Sequence, residues 1–75
     1  MTIRLRVREL GEARKLHLAQ FQRKVDLSVS TARRVWYSTS DGNAHGPPLK
    51  QVSLDVIEQI ADYFHVAPGE LFMKE

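Results

Sequence analysis

The segment LAQFQRKVDLSVSTARRVW, residues 18 to 36, has the apolar spacing of two short helices joined by a tight turn. Apolar residues recur at steps of three and four, which places their side chains on one face of a helix. This spacing predicts helices over residues 18–25 and 29–37. The positions expected to face inward are Leu18, Phe21, Val25, Ala32, Val35 and Trp36.

The turn between these helices is only three residues long: Asp26, Leu27 and Ser28. So short a connection makes the helices cross steeply, and the second helix can then project outward. The first turn position needs positive φ, which Asp26 tolerates although glycine would suit it better. Leu27 supplies a buried apolar residue, and Ser28 is a favourable N-cap. The predicted motif is a helix-turn-helix. The outward positions of its second helix are Val29, Ser30, Arg33 and Arg34.

Further helices are predicted on both sides of this segment. Apolar residues recur with helical spacing over residues 7–16, and an apolar stripe indicates another helix over residues 54–64. Ser53 is a favourable N-cap for the latter. A last short helical turn is expected over residues 68–72, because proline, here Pro68, is tolerated at a first helical position.

Two segments do not have helical spacing. Residues 2–7 contain IRLRV, a strict alternation of apolar and basic residues that predicts a short strand. This strand needs a partner strand, and the resulting two-stranded ribbon needs a helical layer behind it. Residues 49–52 are the expected partner. Residues 38–48 read STSDGNAHGPP and are predicted to form a surface loop. The fold class expected is all-α: a compact bundle of four or five short helices with a small two-stranded β-ribbon.

Length and composition set limits on function. A chain of 75 residues that is 43% hydrophobic fits a single domain over residues 1–75 and leaves no room for a deep substrate cleft. The sequence has no cysteine and no long apolar run, so a cytoplasmic location without a membrane span is expected. His17, His45 and His65 lack metal-ligand spacing, and no catalytic constellation is present. We therefore expect no metal, no cofactor, no small-molecule substrate and no enzymatic activity.

Charge is divided unevenly along the chain. Residues 1–37 carry nine Lys and Arg against three Asp and Glu, a net charge of +6. Residues 38–75 carry two against six, a net charge of −4. A polarised chain can present a basic face to a polyanion while its other half stays out of contact. Ordinary solvated helix faces would give the same distribution, so charge alone leaves both interpretations open.

The C-terminal part of the chain carries a family resemblance. Residues 53–72 read SLDVIEQIADYFHVAPGELF and closely resemble the fourth and fifth helices of Cro/C1-type (XRE) helix-turn-helix regulators. The opening IRLRVREL, residues 3–10, is similar to the short-strand start of one branch of that family. The resemblance implies a lambda-repressor-like domain that binds double-stranded DNA and regulates transcription, as a repressor, with the helix starting at Val29 in the major groove.

The resemblance also implies contact residues. Val29, Ser30 and Arg34 match contact positions of the family's recognition helix, and helical geometry exposes Arg33 beside them. Small residues at a helix start allow close approach to a groove, and arginines reach guanine edges or phosphates. Further candidates for contacts to the DNA backbone lie on the helix flank and in the following loop. These are Thr31, Ser38, Thr39, Ser40, Asn43 and Lys50.

Four positions depart from the family pattern. Leu18 stands where the family commonly has a Gln that meets a phosphate, and Asp26 replaces the glycine of the turn. Gln22 replaces a small Ala, and Trp36 replaces an acidic residue that pairs with an arginine of the first helix, here Arg8. These departures motivate a second hypothesis, a protein-interaction module such as an antitoxin or adaptor that has lost DNA readout. Leu18 and Trp36 would then be exposed anchors.

Leu71 and Phe72 leave two alternatives open. They form either an exposed apolar patch that closes a two-fold homodimer or a cap over the domain's own core. A homodimer would place two recognition helices about one turn of DNA apart and would require a pseudo-palindromic site.

Overall fold

The computed structural model describes residues 3–74. Within that range it contains four α-helices, a 3₁₀ turn and a two-stranded sheet. The elements, in chain order, are β1 (Ile3–Leu5), α1 (Val7–Ala13), α2 (Leu18–Val25), α3 (Val29–Tyr37), α4 (Leu54–Phe64), the 3₁₀ turn (Pro68–Leu71) and β2 (Phe72–Lys74). Helices α2, α3 and α4 have the bounds that the sequence pattern predicts. Thr2, the first residue of the predicted strand, lies outside the described residues.

Helix α1 ends earlier than the predicted residue 16. Lys15 adopts the left-handed conformation with φ 59°. The N–H of Leu16 then donates to the carbonyl of Gly11 at 2.9 Å, and the N–H of Lys15 donates to the carbonyl of Glu12 at 2.9 Å. A left-handed residue with such returning bonds is a common way to end a helix. Leu16 therefore packs against the core from a turn, not from a helix.

The ribbon forms, but the prediction that residues 49–52 supply its second strand is wrong. β1 pairs antiparallel with β2, and Leu5 lies opposite Phe72. Residues 49–52 are not in a strand, and the N–H of Leu49 donates to the carbonyl of Ser38 at 3.0 Å. Alternation along one strand specifies the face that is buried but not the partner segment. Phe72, predicted to end the last helical turn, is instead the first residue of β2.

An aromatic cluster forms the centre of the core. The ring centroid of Phe21 lies 5.3 Å from that of Trp36 and 6.0 Å from that of Phe64. Aromatic pairs at these distances contribute about 0.5–1.5 kcal/mol each beyond the area they bury. The cluster connects α2, α3 and α4, so these three helices are fixed relative to one another. Leu71 completes the core from the 3₁₀ turn and is fully buried.

The described part of the chain has no helix long and apolar enough to cross a membrane. Among residues 3–74 there is also no group of three His, Cys, Asp or Glu that could hold a metal ion. The histidines lie apart: His17 precedes α2, His45 is in the loop after α3, and His65 ends α4.

Candidate nucleic-acid interface

The turn between α2 and α3 has the chemistry that its sequence indicates. Asp26 ends α2 in the left-handed region, with φ 61° and ψ 50°. Leu27 is buried in the core. The hydroxyl of Ser28 accepts the N–H of Thr31 at 3.2 Å and so caps α3. All three predicted roles are confirmed, and the cap sets the start of α3 at Val29.

Two side-chain amides, one on α2 and one on α4, donate hydrogen bonds to main-chain carbonyls at this turn. The Nε2 of Gln22 donates to the carbonyl of Leu27 at 2.6 Å. The Nε2 of Gln59, on α4, donates to the carbonyls of Val25 and Asp26. Main-chain carbonyls at a tight turn need donors, and these amides supply them. The departure at Gln22 thus has a structural role. The sequence did not indicate this role of Gln59, because the carbonyls that it contacts are more than 30 residues away.

The outer face of α3 carries Val29, Ser30 and Arg33, which we call the α3 strip. All three side chains are exposed, and Val29 is 62% exposed although it is apolar. Val29 and Arg33 are one helical turn apart and therefore neighbours on the helix surface. The opposite face is buried, as the sequence predicts. It consists of Ala32, Val35 and Trp36.

The two arginines of α3 have different surroundings. The Nε of Arg33 donates to the carbonyl of Gly42 at 3.1 Å, and its guanidinium lies 5.8 Å from the ring centroid of Tyr37. The terminal nitrogens of Arg33 make no hydrogen bond to the described residues. Arg34 is half-buried and donates to the carbonyl of Gln51 at 3.1 Å. Arg33 therefore has free donors on the α3 strip, whereas Arg34 ties α3 to the segment before α4.

Two candidate contact residues of the loop are used inside the fold. The hydroxyl of Ser38 accepts the N–H of Leu5 at 3.0 Å and supports β1. Thr39 is only 5% exposed and forms a bridge to Pro48 that closes the base of the loop. The sequence placed both residues on the surface because turn-forming composition does not show which polar side chains fold inward. The burial of Thr39 argues against contact with DNA, whereas Ser38 is half-buried with its hydroxyl engaged within the fold.

The other flank and loop candidates lie nearer the surface. Ser40 is exposed, and its hydroxyl donates to the carbonyl of Pro48 at 2.7 Å. Asn43 and Lys50 are also exposed. Thr31 is half-buried, and its hydroxyl accepts that of Ser28 at 2.9 Å. The loop is held against α3 because Gly42 packs on Arg33: a Cβ at Gly42 would lie 3.2 Å from the Cβ of Arg33.

A shallow cleft lies between the first turns of α2 and α3, and we call it the α2–α3 cleft. Its walls are formed by Leu18, Ala19, Gln22, Val29, Ala32 and Arg33. Sequence reasoning did not single out Ala19, or the exposed Arg23 one turn after it on the same side of α2. The spacing of four residues between Ala19 and Arg23 could have indicated that they are neighbours on the surface of α2.

The structure answers two questions that the family departures raise. Trp36 is 5% exposed and therefore cannot be the exposed anchor that a protein-interaction module would need. Leu18 is half-buried against the core. Arg8, left without an acidic partner at position 36, pairs with Glu12 at 3.4 Å and lies 5.9 Å from the ring centroid of Tyr37.

The predicted dimer patch is only partly at the surface. Leu71 is fully buried, so the alternative that holds for this residue is packing in the domain's own core. Phe72 is 40% exposed on β2, and Ile3 on β1 is also exposed. An apolar surface at the ribbon therefore consists of Ile3 and Phe72 and excludes Leu71.

The geometry and the family comparison agree. A family model described as the Cro/C1-type HTH DNA-binding domain matches residues 6–73 of the 75-residue chain. That range includes the four helices, the turn between α2 and α3, and the loop after α3. Curated proteins and solved structures gave no significant match. With a helix-turn-helix of this geometry and a match over most of its length, the chain belongs to the family of Cro/C1-type helix-turn-helix DNA-binding domains.

Proposed function

We propose that this protein is a sequence-specific transcriptional repressor that inserts α3 into the major groove of double-stranded DNA. The observation that carries the proposal is the α3 strip, an exposed set of side chains on a helix whose opposite face is buried. The major groove, about 12 Å wide, admits an α-helix. Repression follows from occupancy of a promoter and needs no further contact. The same proposal places the protein in the cytoplasm, in the compartment of the DNA that it binds.

The α3 strip supplies the sequence readout in this proposal. Val29 and Ser30 are small enough to let the first turn of α3 approach the base edges. Arg33 uses its terminal nitrogens for a guanine edge or a phosphate. Contacts to the DNA backbone fix the position of the helix but carry no sequence information. The residues proposed for them are Thr31, Arg34, Ser40, Asn43 and Lys50.

The charge distribution supports this orientation. The basic first half of the chain contains α2 and α3, whereas the acidic second half contains α4. Asp55, Glu58 and Asp62 are exposed on α4. A polyanion is attracted to the side of α2 and α3 and repelled from α4.

The second hypothesis, a protein-interaction module without DNA readout, rested on four departures from the family pattern. Three of these have roles inside the fold. Gln22 braces the turn, Asp26 adopts the left-handed conformation, and Trp36 packs in the core. These roles explain three of the departures without a loss of DNA binding, so we favour the repressor.

The decisive experiment is selection of bound duplexes from a random library at near-physiological salt, followed by sequencing. An enriched motif supports sequence-specific binding. Two inverted half-sites about one helical turn apart would also support a homodimer, and a single half-site would indicate a monomer. No enrichment, together with no retention of DNA at low salt, would refute the proposal, because phosphate contacts are strongest at low salt.

Repression is tested separately with a reporter gene whose promoter overlaps the enriched motif. The intact protein is expected to lower transcription, and a promoter with a scrambled motif is the control. Increased transcription from the intact promoter would contradict repression while leaving DNA binding in place.

A further inference from the structure

Val29 is an apolar side chain placed where the proposed function requires contact with a base edge. It is the first residue of α3, directly after the Ser28 cap, and 62% of it is exposed. Single exposed apolar residues are common on protein surfaces. Val29, however, forms one wall of the α2–α3 cleft, and the exposed Ala19 forms part of the facing wall. Of the four apolar residues that line the cleft, Val29 and Ala19 are the two that are exposed.

The two polar residues that line this cleft each have one donor engaged within the fold. The amide of Gln22 donates to the carbonyl of Leu27 at 2.6 Å. The Nε of Arg33 donates to the carbonyl of Gly42 at 3.1 Å. The apolar groups that the cleft presents include the methyl groups of Val29 and Ala19.

Major-groove chemistry limits what such a surface can distinguish. Base pairs differ there in their hydrogen-bond donors and acceptors, and thymine alone of the four standard bases adds a C5-methyl group. Apolar side chains cannot distinguish donors from acceptors. They do stabilise a complex in which a methyl group is buried against them, because the methyl group is removed from water. Burial of one such group corresponds to about a fourfold change in affinity.

We infer that the α2–α3 cleft is a thymine-methyl pocket, in which Val29 and Ala19 contact the C5-methyl group of one thymine in the target site. This inference rests on the proposed function and names the base that the first turn of α3 reads. Charge favours DNA over an apolar protein segment as the occupant, because Arg33 and Arg23 lie one turn beyond Val29 and Ala19. Two exposed arginines, each one helical turn beyond an apolar residue of the cleft, suit a base edge that lies between two phosphate backbones.

The test replaces the thymines of the selected duplex by deoxyuridine, one position at a time. Deoxyuridine keeps base pairing and every donor and acceptor and removes only the methyl group. One position is expected to lower the affinity of the intact protein about fourfold, and the others are expected to have little effect. Val29→Ala is expected to bind the thymine and uridine duplexes with nearly equal affinity at that position.

Leu54→Ala is the matched control, because Leu54 is also an exposed apolar residue directly after a serine N-cap, on α4. This variant should retain the preference for thymine. Circular dichroism and thermal unfolding verify that both variants are folded. Binding without any uridine effect, or an equal effect in Val29→Ala and intact protein, would overturn the pocket alone. Absence of any bound duplex would overturn the pocket and the proposed function together.

Discussion

The indole ring of Trp36 lies directly against the main chain of Gly11: a Cβ at Gly11 would stand 2.6 Å from Cζ3 and 2.7 Å from Cη2. Helices α1 and α3 can approach this closely only because Gly11 has no side chain. The contact occupies the region where the family resemblance implies an ion pair between an acidic residue and Arg8. In this protein an apolar contact connects the two helices instead, and Trp36 remains in the core.

Gly11→Ala is expected to destabilise the protein. Alanine is favoured over glycine within a helix by about 1 kcal/mol, which alone would stabilise α1. The added Cβ would overlap the buried Trp36 ring, and overpacking of a core costs about 1–3 kcal/mol. We expect a net loss of up to about 2 kcal/mol in the free energy of unfolding, measured by urea denaturation. Gly69→Ala is the control, because no atom lies within 4 Å of its Cβ position. A stabilised Gly11→Ala variant would show that the helices are not in close contact.

Asp26→Gly is expected to stabilise the protein by about 0.5–1 kcal/mol, because a left-handed conformation is strained for residues with a Cβ. Asp26 has φ 61°, a conformation that glycine adopts without steric strain. Thermal unfolding measures the effect. Glu58→Gly, at an exposed position in the middle of α4, provides the opposite sign and should lose about 0.5 kcal/mol, because glutamate is the better helix former. Equal losses in both variants would contradict the strain at Asp26.

Gln59→Ala is expected to lower the free energy of unfolding by about 1 kcal/mol, because two main-chain carbonyls of the turn lose their side-chain donor. The carbonyls belong to Val25 and Asp26. Glu58→Ala removes an exposed neighbour on α4 and should change stability by less than about 0.5 kcal/mol. Chemical denaturation of the two variants side by side measures the difference. If they unfold at the same denaturant concentration, Gln59 does not brace the turn.

Apolar spacing and serine N-caps were sufficient to locate three helices of this fold. Ser28 and Ser53 both accept main-chain N–H groups at the predicted helix starts. The second strand of the ribbon was not predictable, because the alternation in β1 specifies a buried face and no partner. The partner is decided by Leu71, whose burial brings the following residues alongside β1.

The candidate site was predictable where it depends on helical geometry. The exposure of Val29 and Arg33 follows from the burial of their neighbours on α3. The loop was not predictable, because its polar residues are used in contacts with distant segments. Ser38 supports β1 at a separation of 33 residues, and Arg34 donates to the carbonyl of Gln51. Sequence spacing contains no information about such pairs.

Arg34→Ala is expected to destabilise the protein by about 1 kcal/mol, because the carbonyl of Gln51 loses a charged donor near the surface. The half-buried stem of Arg34 also packs between α3 and the segment before α4. Urea denaturation measures the loss. Arg23→Ala is the control, since Arg23 is exposed on α2 and should change stability by less than about 0.5 kcal/mol. No loss in Arg34→Ala would mean that the bond to Gln51 does not hold this segment.

Arg33→Ala is expected to weaken binding to the selected duplex by about 1–3 kcal/mol if Arg33 reads a base. Affinity for random duplex would then change little. If Arg33 contacts a phosphate, both affinities fall together, and the slope of log K against log salt decreases by about 1. Titrations of both duplexes at several salt concentrations separate the two roles. Lys74→Ala, an exposed cation on β2, is the control for net charge and should leave specific binding nearly unchanged. Unaltered affinity of Arg33→Ala for both duplexes would place Arg33 outside the interface.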